Sequence, residues 1–201
     1  RGVFVSYRND RNEEADIYRG TRLLMHQPYS ARLYPLDGVS FHGKVCYNRE
    51  ASMDRMERPD GQELRLTEDA GNILWIRPCV GMTYPQAGPQ VRAVLHDSYH
   101  SGTIAVNAGL EEFAGRMEQA GIPVYLTGAS SGEAEYETVR MYEQYGIRVL
   151  PKMSLIAAYC KLWLALSNDL DVNSIMNTCI AEDIIQEQRG VIRTDEQSRR
   201  D

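Results

Sequence analysis

The sequence predicts an α/β fold, a small parallel sheet with helices on both faces, preceded by a few strands of a separate unit. Three observations carry that prediction. Between Ile73 and Leu166 the pattern runs strand, strand, helix, strand, helix, strand, helix. Glycines stand just past two of the helical stretches, at Gly121 and Gly146, where a helix needs a stop. The composition is that of a globular chain: of 201 residues, 43% are hydrophobic and 25% charged, which excludes a disordered polymer.

The elements follow in order. Gly2 to Tyr7 is a first strand, and a charged loop, Arg8 to Ala15, follows it. Asp16 to Met25 reads as a second strand or hairpin arm, with Gly20 as a bend. Pro28 to Gly38 holds turn residues and aromatics, and Ser40 to Tyr47 alternates weakly, as a short strand does. From Asn48 to Gly71 the chain is rich in Asp, Glu, Arg, Pro and Gly, consistent with either a linker or a decorated surface loop.

The pattern then becomes regular. Ile73 to Arg77 is a strand closed by Pro78, and Val91 to Leu95 is another. Leu110, Phe113, Ala114 and Met117 share one face of a helix that ends at Gln119. Ile122 to Thr127 is a strand, with Pro123 near its first residue. Glu135 to Tyr145 is a helix with Val139 and Tyr142 inward, and Ile147 to Leu150 is a short strand. Ser154 caps a helix from Leu155 to Leu166 that is apolar nearly all round, hence expected to be buried. Asp171 to Gln188 holds one or two more helices, and the polar end, Arg193 to Asp201, is expected to fray.

Several function classes recede. A net charge of −6 is a poor match for phosphate backbones, so nucleic acid is not expected as a partner. No run of about 18 apolar residues exists to cross a membrane. Cys46, Cys79, Cys160 and Cys179 form no C-x-x-C pair, so neither a zinc site nor any other metal or cofactor is expected. Scattered thiols, and no visible signal peptide, suit a reducing, cytoplasmic setting.

In a parallel sheet, ligands meet the loops beyond the carboxyl ends of the strands. Two loops qualify. His96 to Thr103 gathers two His, an Asp, a Tyr, two Ser, a Gly and a Thr. It can be read as a nucleophile with its base or as a polar binding loop, and the second is favoured, because sequence proximity supplies no triad geometry. Thr127 to Gly132 is Gly- and Ser-rich and leads into a helix, as an anion cradle does. A plain helix cap by Ser130 or Ser131 is favoured, because Glu133 and Glu135 would repel an anion. Arg19 and Arg22 could bind a carboxylate, but exposed strand arginines are expected to solvate a surface; Lys161, one charge in an apolar helix, is expected to snorkel or pair.

The order of these motifs resembles the C-terminal domain of the L-asparaginase/glutaminase family, closest to its cytoplasmic, type I-like branch. Tyr99-His100-Ser101-Gly102-Thr103 stands where the family has Tyr-Gly-x-Gly-Asn, and Leu110 to Leu126 is similar to its amphipathic helix and following strand. Thr127 to Gly132 is similar to a Thr-x-Cys/Ser-x-x-Gly turn, and Tyr136 to Ile147 to the helix after it. Lys152-Met153-Ser154 and Ala158 to Leu162 stand where the family has Asp-Met-Thr and Ala-x-x-Lys-Leu. Gly2 to Val5 and Tyr18 to Arg22 resemble the last strands of the family's N-terminal domain.

The resemblance implies a Rossmann-like or flavodoxin-like three-layer domain over 72–201, a linker over 48–71, and the tail of a truncated N-terminal domain over 1–47. It implies a parent that hydrolyses a small amino-acid side-chain amide, such as asparagine, to acid and ammonia, acting as a homodimer or homotetramer. The family's nucleophilic Thr lies in the N-terminal domain, so this chain is expected to carry no catalytic residue and to be inactive alone. Thr103 takes the place of the Asn that reaches a neighbouring subunit's active site, so Thr103 and Ser101 are expected to be substrate-proximal across a subunit contact. Asp97, Thr127 and Ser130 stand at places comparable to the branch's allosteric amino-acid site. This allows two other roles, a regulatory module or a purely structural oligomerisation domain. Asp97 replaces an Arg there, which would repel a carboxylate ligand.

Overall fold

The computed structural model describes residues 3–9, 15–25, 27–36, 41–42, 63–67, 72–129 and 137–185. Strands β1 (Phe4–Tyr7), β2 (Asp16–Arg19) and β3 (Phe41–His42) form an antiparallel sheet in the order β1-β2-β3. Strands β4 (Ile73–Ile76), β5 (Ala93–His96), β6 (Val124–Leu126) and β7 (Ile147–Val149) form a parallel sheet in sequential order. Helices α1 (Ala108–Gln119), α2 (Glu137–Gln144), α3 (Leu155–Ser167) and α4 (Val172–Asn177) complete the described elements.

The parallel sheet sits between two apolar cores, and the alternation of side chains along its strands explains both. Val94 joins Leu110, Phe113 and Met117 of α1 and Tyr142 of α2 on one face. Ala93 and Leu95 join Ala158, Leu162 and Leu166 of α3 and Met176 of α4 on the other. Covered on both sides, β5 is buried at every residue, which is why it reads as an unbroken apolar run ending in a histidine. The three-layer α/β reading of the sequence holds.

Boundaries move by a few residues. The strand expected at Val91 to Leu95 is Ala93–His96, so His96 belongs to the sheet rather than to the loop. The strand expected over Ile122 to Thr127 is Val124–Leu126. The long arm expected over Asp16 to Met25 ends at Arg19, where Gly20–Arg22 tightens into a 3₁₀ turn. Between Asp171 and Ile185 the only helix is α4; the chain then turns through Ala181 and Glu182, both at positive φ, and Ile184 bridges back to Met153. The anticipated cap of α3 is present, with the Ser154 hydroxyl accepting from the Ala157 N–H. That helix is not buried all round, because it has one sheet to pack on: Ile156 and Cys160 face solvent, and Tyr159 meets the edge-strand Trp75 at 5.9 Å. Most of 48–71 and all of 193–201 lie outside the described residues; within 63–67, the Arg65 and Thr67 N–H groups bond Asn168 and Ser167 at the end of α3.

The turn after α4 ties the two sheets together. Lys161 of α3 lies 2.8 Å from Asp183, with both side chains 3% exposed, and it also donates to the Thr178 carbonyl. Asp183 in turn accepts from the Ile180 N–H at 2.8 Å. The turn so ordered offers Glu182 to Arg19 at 2.9 Å, the Glu182 carbonyl to Arg22 and the Ala181 carbonyl to Thr21. Arg19 and Arg22 therefore do not solvate a strand surface as expected. They dock the antiparallel sheet on the α/β layers, and the Arg19 side chain is only 10% exposed.

Asp183→Ala leaves the Lys161 ammonium buried without its counterion, and is expected to cost about 3–5 kcal/mol. Guanidinium denaturation measures it, and Lys161→Met combined with Asp183→Leu should recover most of the loss.

Candidate functional site

The carboxyl ends of β4, β5 and β6 bring together the two loops singled out in the sequence. Asp97 follows β5 directly, and its N–H closes onto the Ile76 carbonyl of β4, so the loop starts at the sheet edge. Thr127 follows β6 and is 1% exposed. The loops touch at Ser98 and Gly128: Gly128 has φ +73°, and a Cβ placed on it would lie 2.4 Å from the Ser98 Oγ. Glycine is required there on two counts, for the left-handed backbone and for the close approach.

Asp97 is a half-buried carboxylate at this junction. Burial raises its pKa, against the Ser98 N–H, Arg77, His96 and the Thr127 hydroxyl, which favour the charged form. Arg77 is a distant partner, 3.9 Å away with a side chain 64% exposed, so its pull is screened by water. The Thr127 hydroxyl donates to the His96 carbonyl at 3.4 Å and lies close enough to Asp97 to favour its charged form. Asp97 and Thr127 are thus brought together, while Ser130 lies outside the described residues, as do Ser131, Glu133 and Glu135. The Asp97 carboxylate is wrong in sign for an amino acid's carboxylate.

His96 points into the core rather than into the loop. Its Nδ1 meets the Asp97 carbonyl, which can only accept, so the proton sits on Nδ1 and Nε2 is free to accept. The Tyr84 hydroxyl donates to Nε2 at 3.1 Å. Tyr84 is wedged between the His96 and Phe113 rings, at 5.7 and 4.9 Å, and burial pushes its phenol up to about 12. Burial lowers the pKa of His96, so the ring is held neutral. With both ring nitrogens engaged and the ring fully buried, His96 activates no hydroxyl, and His100 stands exposed on the loop.

Beyond Ser98 the chain makes a tight turn. The Tyr99 N–H donates to the Thr103 carbonyl at 2.8 Å and the Gly102 N–H to the Tyr99 carbonyl at 2.9 Å, with Gly102 at φ +74°. The turn places the Ser101 and Thr103 hydroxyls 2.8 Å apart on the outer side of the loop. Tyr84 and Tyr142 were missed as site residues. Tyr142 carries an inward signal in its helical spacing, but nothing in the sequence points to its partner. Tyr84 lies in an irregular stretch with no periodicity to read. Among the described residues no cluster of three or more His, Cys, Asp or Glu could hold a metal ion, and no helix is long and apolar enough to cross a membrane.

Two outcomes are expected. Gly128→Ala should destabilise the protein by about 1–3 kcal/mol in thermal unfolding, and adding Ser98→Ala should return the steric part while leaving the left-handed cost of about 1 kcal/mol. His96 is neutral in the fold and has a lowered pKa, so unfolding takes up a proton once the pH falls below the ordinary value of 6.5. Stability is therefore expected to fall as the pH drops from about 7 to 5. His96→Gln should flatten that slope when denaturation midpoints are compared across the range.

No protein-family model and no curated protein matches the chain. Solved structures do. The thermostable L-asparaginase from Thermococcus kodakarensis superposes with a TM-score of 0.60 and 20% identity, over 92% of this chain and 58% of that one. L-asparaginase I from Vibrio cholerae O1 biovar eltor superposes with a TM-score of 0.59 and 17% identity, over 85% of this chain and 55% of that one. The chain thus spans a little over half the length of the enzymes it resembles. At these identities the likeness is one of fold, and the fold of this chain is the asparaginase-like fold.

Proposed function

We propose that this chain is the carboxyl-terminal part of an asparaginase-like amidohydrolase that converts the side-chain amide of asparagine, or of a related amino acid, to the acid and ammonia. The observation that carries the reading is the fold likeness to L-asparaginases across 92% of the chain. The position of Tyr99 to Thr103 beyond β5 at the carboxyl edge of the sheet, where open α/β sheets take their ligands, fits it.

In this reading residues 1–47 are the tail of one domain, 48–71 a linker and 72–201 a second domain. The nucleophilic threonine belongs to the first domain, upstream of residue 1. Its hydroxyl attacks the amide carbonyl, the tetrahedral oxyanion is held by N–H donors, collapse of that intermediate expels ammonia and leaves an acyl-enzyme, and water then hydrolyses the ester to the acid and the free hydroxyl. No cofactor enters. This chain contributes to subunit contacts in a homodimer or homotetramer and supplies the edge of a neighbouring active site, in a reducing cytoplasmic setting.

Ser101 and Thr103 are the residues assigned to that edge. A lone Thr hydroxyl cannot offer an amide's separate donor and acceptor, but two hydroxyls 2.8 Å apart can. One proton is spent inside the pair, the other points outward, and lone pairs remain to accept. A polar substrate group that needs both a donor and an acceptor can meet them together.

The test is ammonia release from L-asparagine and L-glutamine, measured on the 201-residue chain and on the full-length protein. The full-length protein is expected to be active and the isolated chain inactive. Turnover by the isolated chain would overturn the division of labour proposed above.

A further inference from the structure

The peptide group that joins Thr103 to Ile104 is held at both ends. Its carbonyl accepts from the Tyr99 N–H at 2.8 Å, and its N–H donates to the Tyr142 hydroxyl at 2.9 Å. The same hydroxyl has one proton of its own and places it on the Ile104 carbonyl at 3.3 Å. Ile104 is 4% exposed and belongs to no helix or strand, so neither of its peptide groups has a ladder partner or water to turn to. One phenol satisfies both.

We propose that Tyr142 is a positioning residue for the Ser101–Thr103 pair. It lies on α2, fully buried beside Leu110 and Phe113, so its own place is set by the core. Packing of the Ile104 side chain anchors that residue, but leaves the peptide after it free to rotate and the one before it held only by the Tyr99 N–H within the turn itself. The phenol removes that freedom and passes the rigidity of the core to the turn. Other restraints are the Tyr99 hydroxyl, which donates to the Cys79 carbonyl at 3.5 Å, Ser98 against Gly128 at the start of the loop, and the Asn107 side chain capping α1 at its end. The catalytic part of this inference rests on the amidohydrolase reading; the mechanical part does not.

Tyr142→Phe keeps the ring and removes only the hydroxyl. In the full-length protein it is expected to speed amide hydrogen exchange at Ile104 by about tenfold or more. It should also raise KM for the amide substrate by about tenfold while leaving kcat within about twofold, the signature of lost binding rather than lost chemistry. Tyr125→Phe is the control: it also loses a buried hydroxyl, one that accepts from Arg148 at 3.2 Å, but it lies away from the turn and should leave KM unchanged. Unchanged exchange at Ile104 would overturn the clamp. Faster exchange with KM unmoved, or a KM shift shared by Tyr125→Phe, would overturn its role in substrate binding. A full-length wild-type protein inactive on every amide tested would sink the amidohydrolase reading and the substrate role with it, while the exchange measurement still decides the clamp.

Discussion

A lysine ammonium in the middle of an apolar helix has to be neutralised, and the way Lys161 is neutralised organises much of the molecule. Its counterion, Asp183, comes from the turn after α4, and that same carboxylate holds the turn closed through Ile180. Two consecutive residues, Ala181 and Glu182, take up left-handed backbone to bring it there, at φ 52° and 58°. Such conformations are costly without glycine and persist only where the surroundings over-determine them. Here the surroundings are the bonds from Lys161 on one side and from Thr21, Arg19 and Arg22 on the other. The pair contributes less through its own attraction than through the geometry it imposes. It makes docking of the antiparallel sheet conditional on the order of the α/β layers.

The parallel sheet provides the second constraint. With β5 buried on both faces, the chain leaves the core at Asp97 with a fixed position and direction. His96 and Tyr84 brace that exit from below, Ser98 and Gly128 press the neighbouring loop against it, and Tyr142 catches the chain again at Ile104. The polar turn between these points is short and supported at both ends. A turn built this way needs no secondary structure of its own, because tyrosine hydroxyls and one close glycine contact replace it.

The likeness to L-asparaginases and the local geometry bear on different questions. The former assigns the fold, over a little more than half the length of those enzymes. The latter shows which groups are available at the sheet edge: two adjacent hydroxyls, a carboxylate of raised pKa and a threonine beside it. A neutral histidine with both nitrogens occupied lies beneath them. With both its nitrogens engaged, His96 is not available as a base for these hydroxyls.

The α/β class, the four parallel strands, the faces of α1 and the cap of α3 were legible in the sequence, because they depend on periodicity and on residues a few positions apart. The polar loops beyond β5 and β6 were legible too, since strand ends in such sheets are where ligands bind. What a side chain touches across the fold was not. Arg19 looked like a solvated strand residue and is buried against Glu182; His96 read as part of a polar loop and is a core histidine held neutral. Tyr142 could be placed inward, but not on Ile104, and Lys161 could be expected to pair, but not with Asp183. Each of these partnerships joins residues far apart in the chain. Burial and hydrogen-bond satisfaction act through space, so only the tertiary structure decides them, whereas the spacing of apolar residues along the chain is enough to decide the layers.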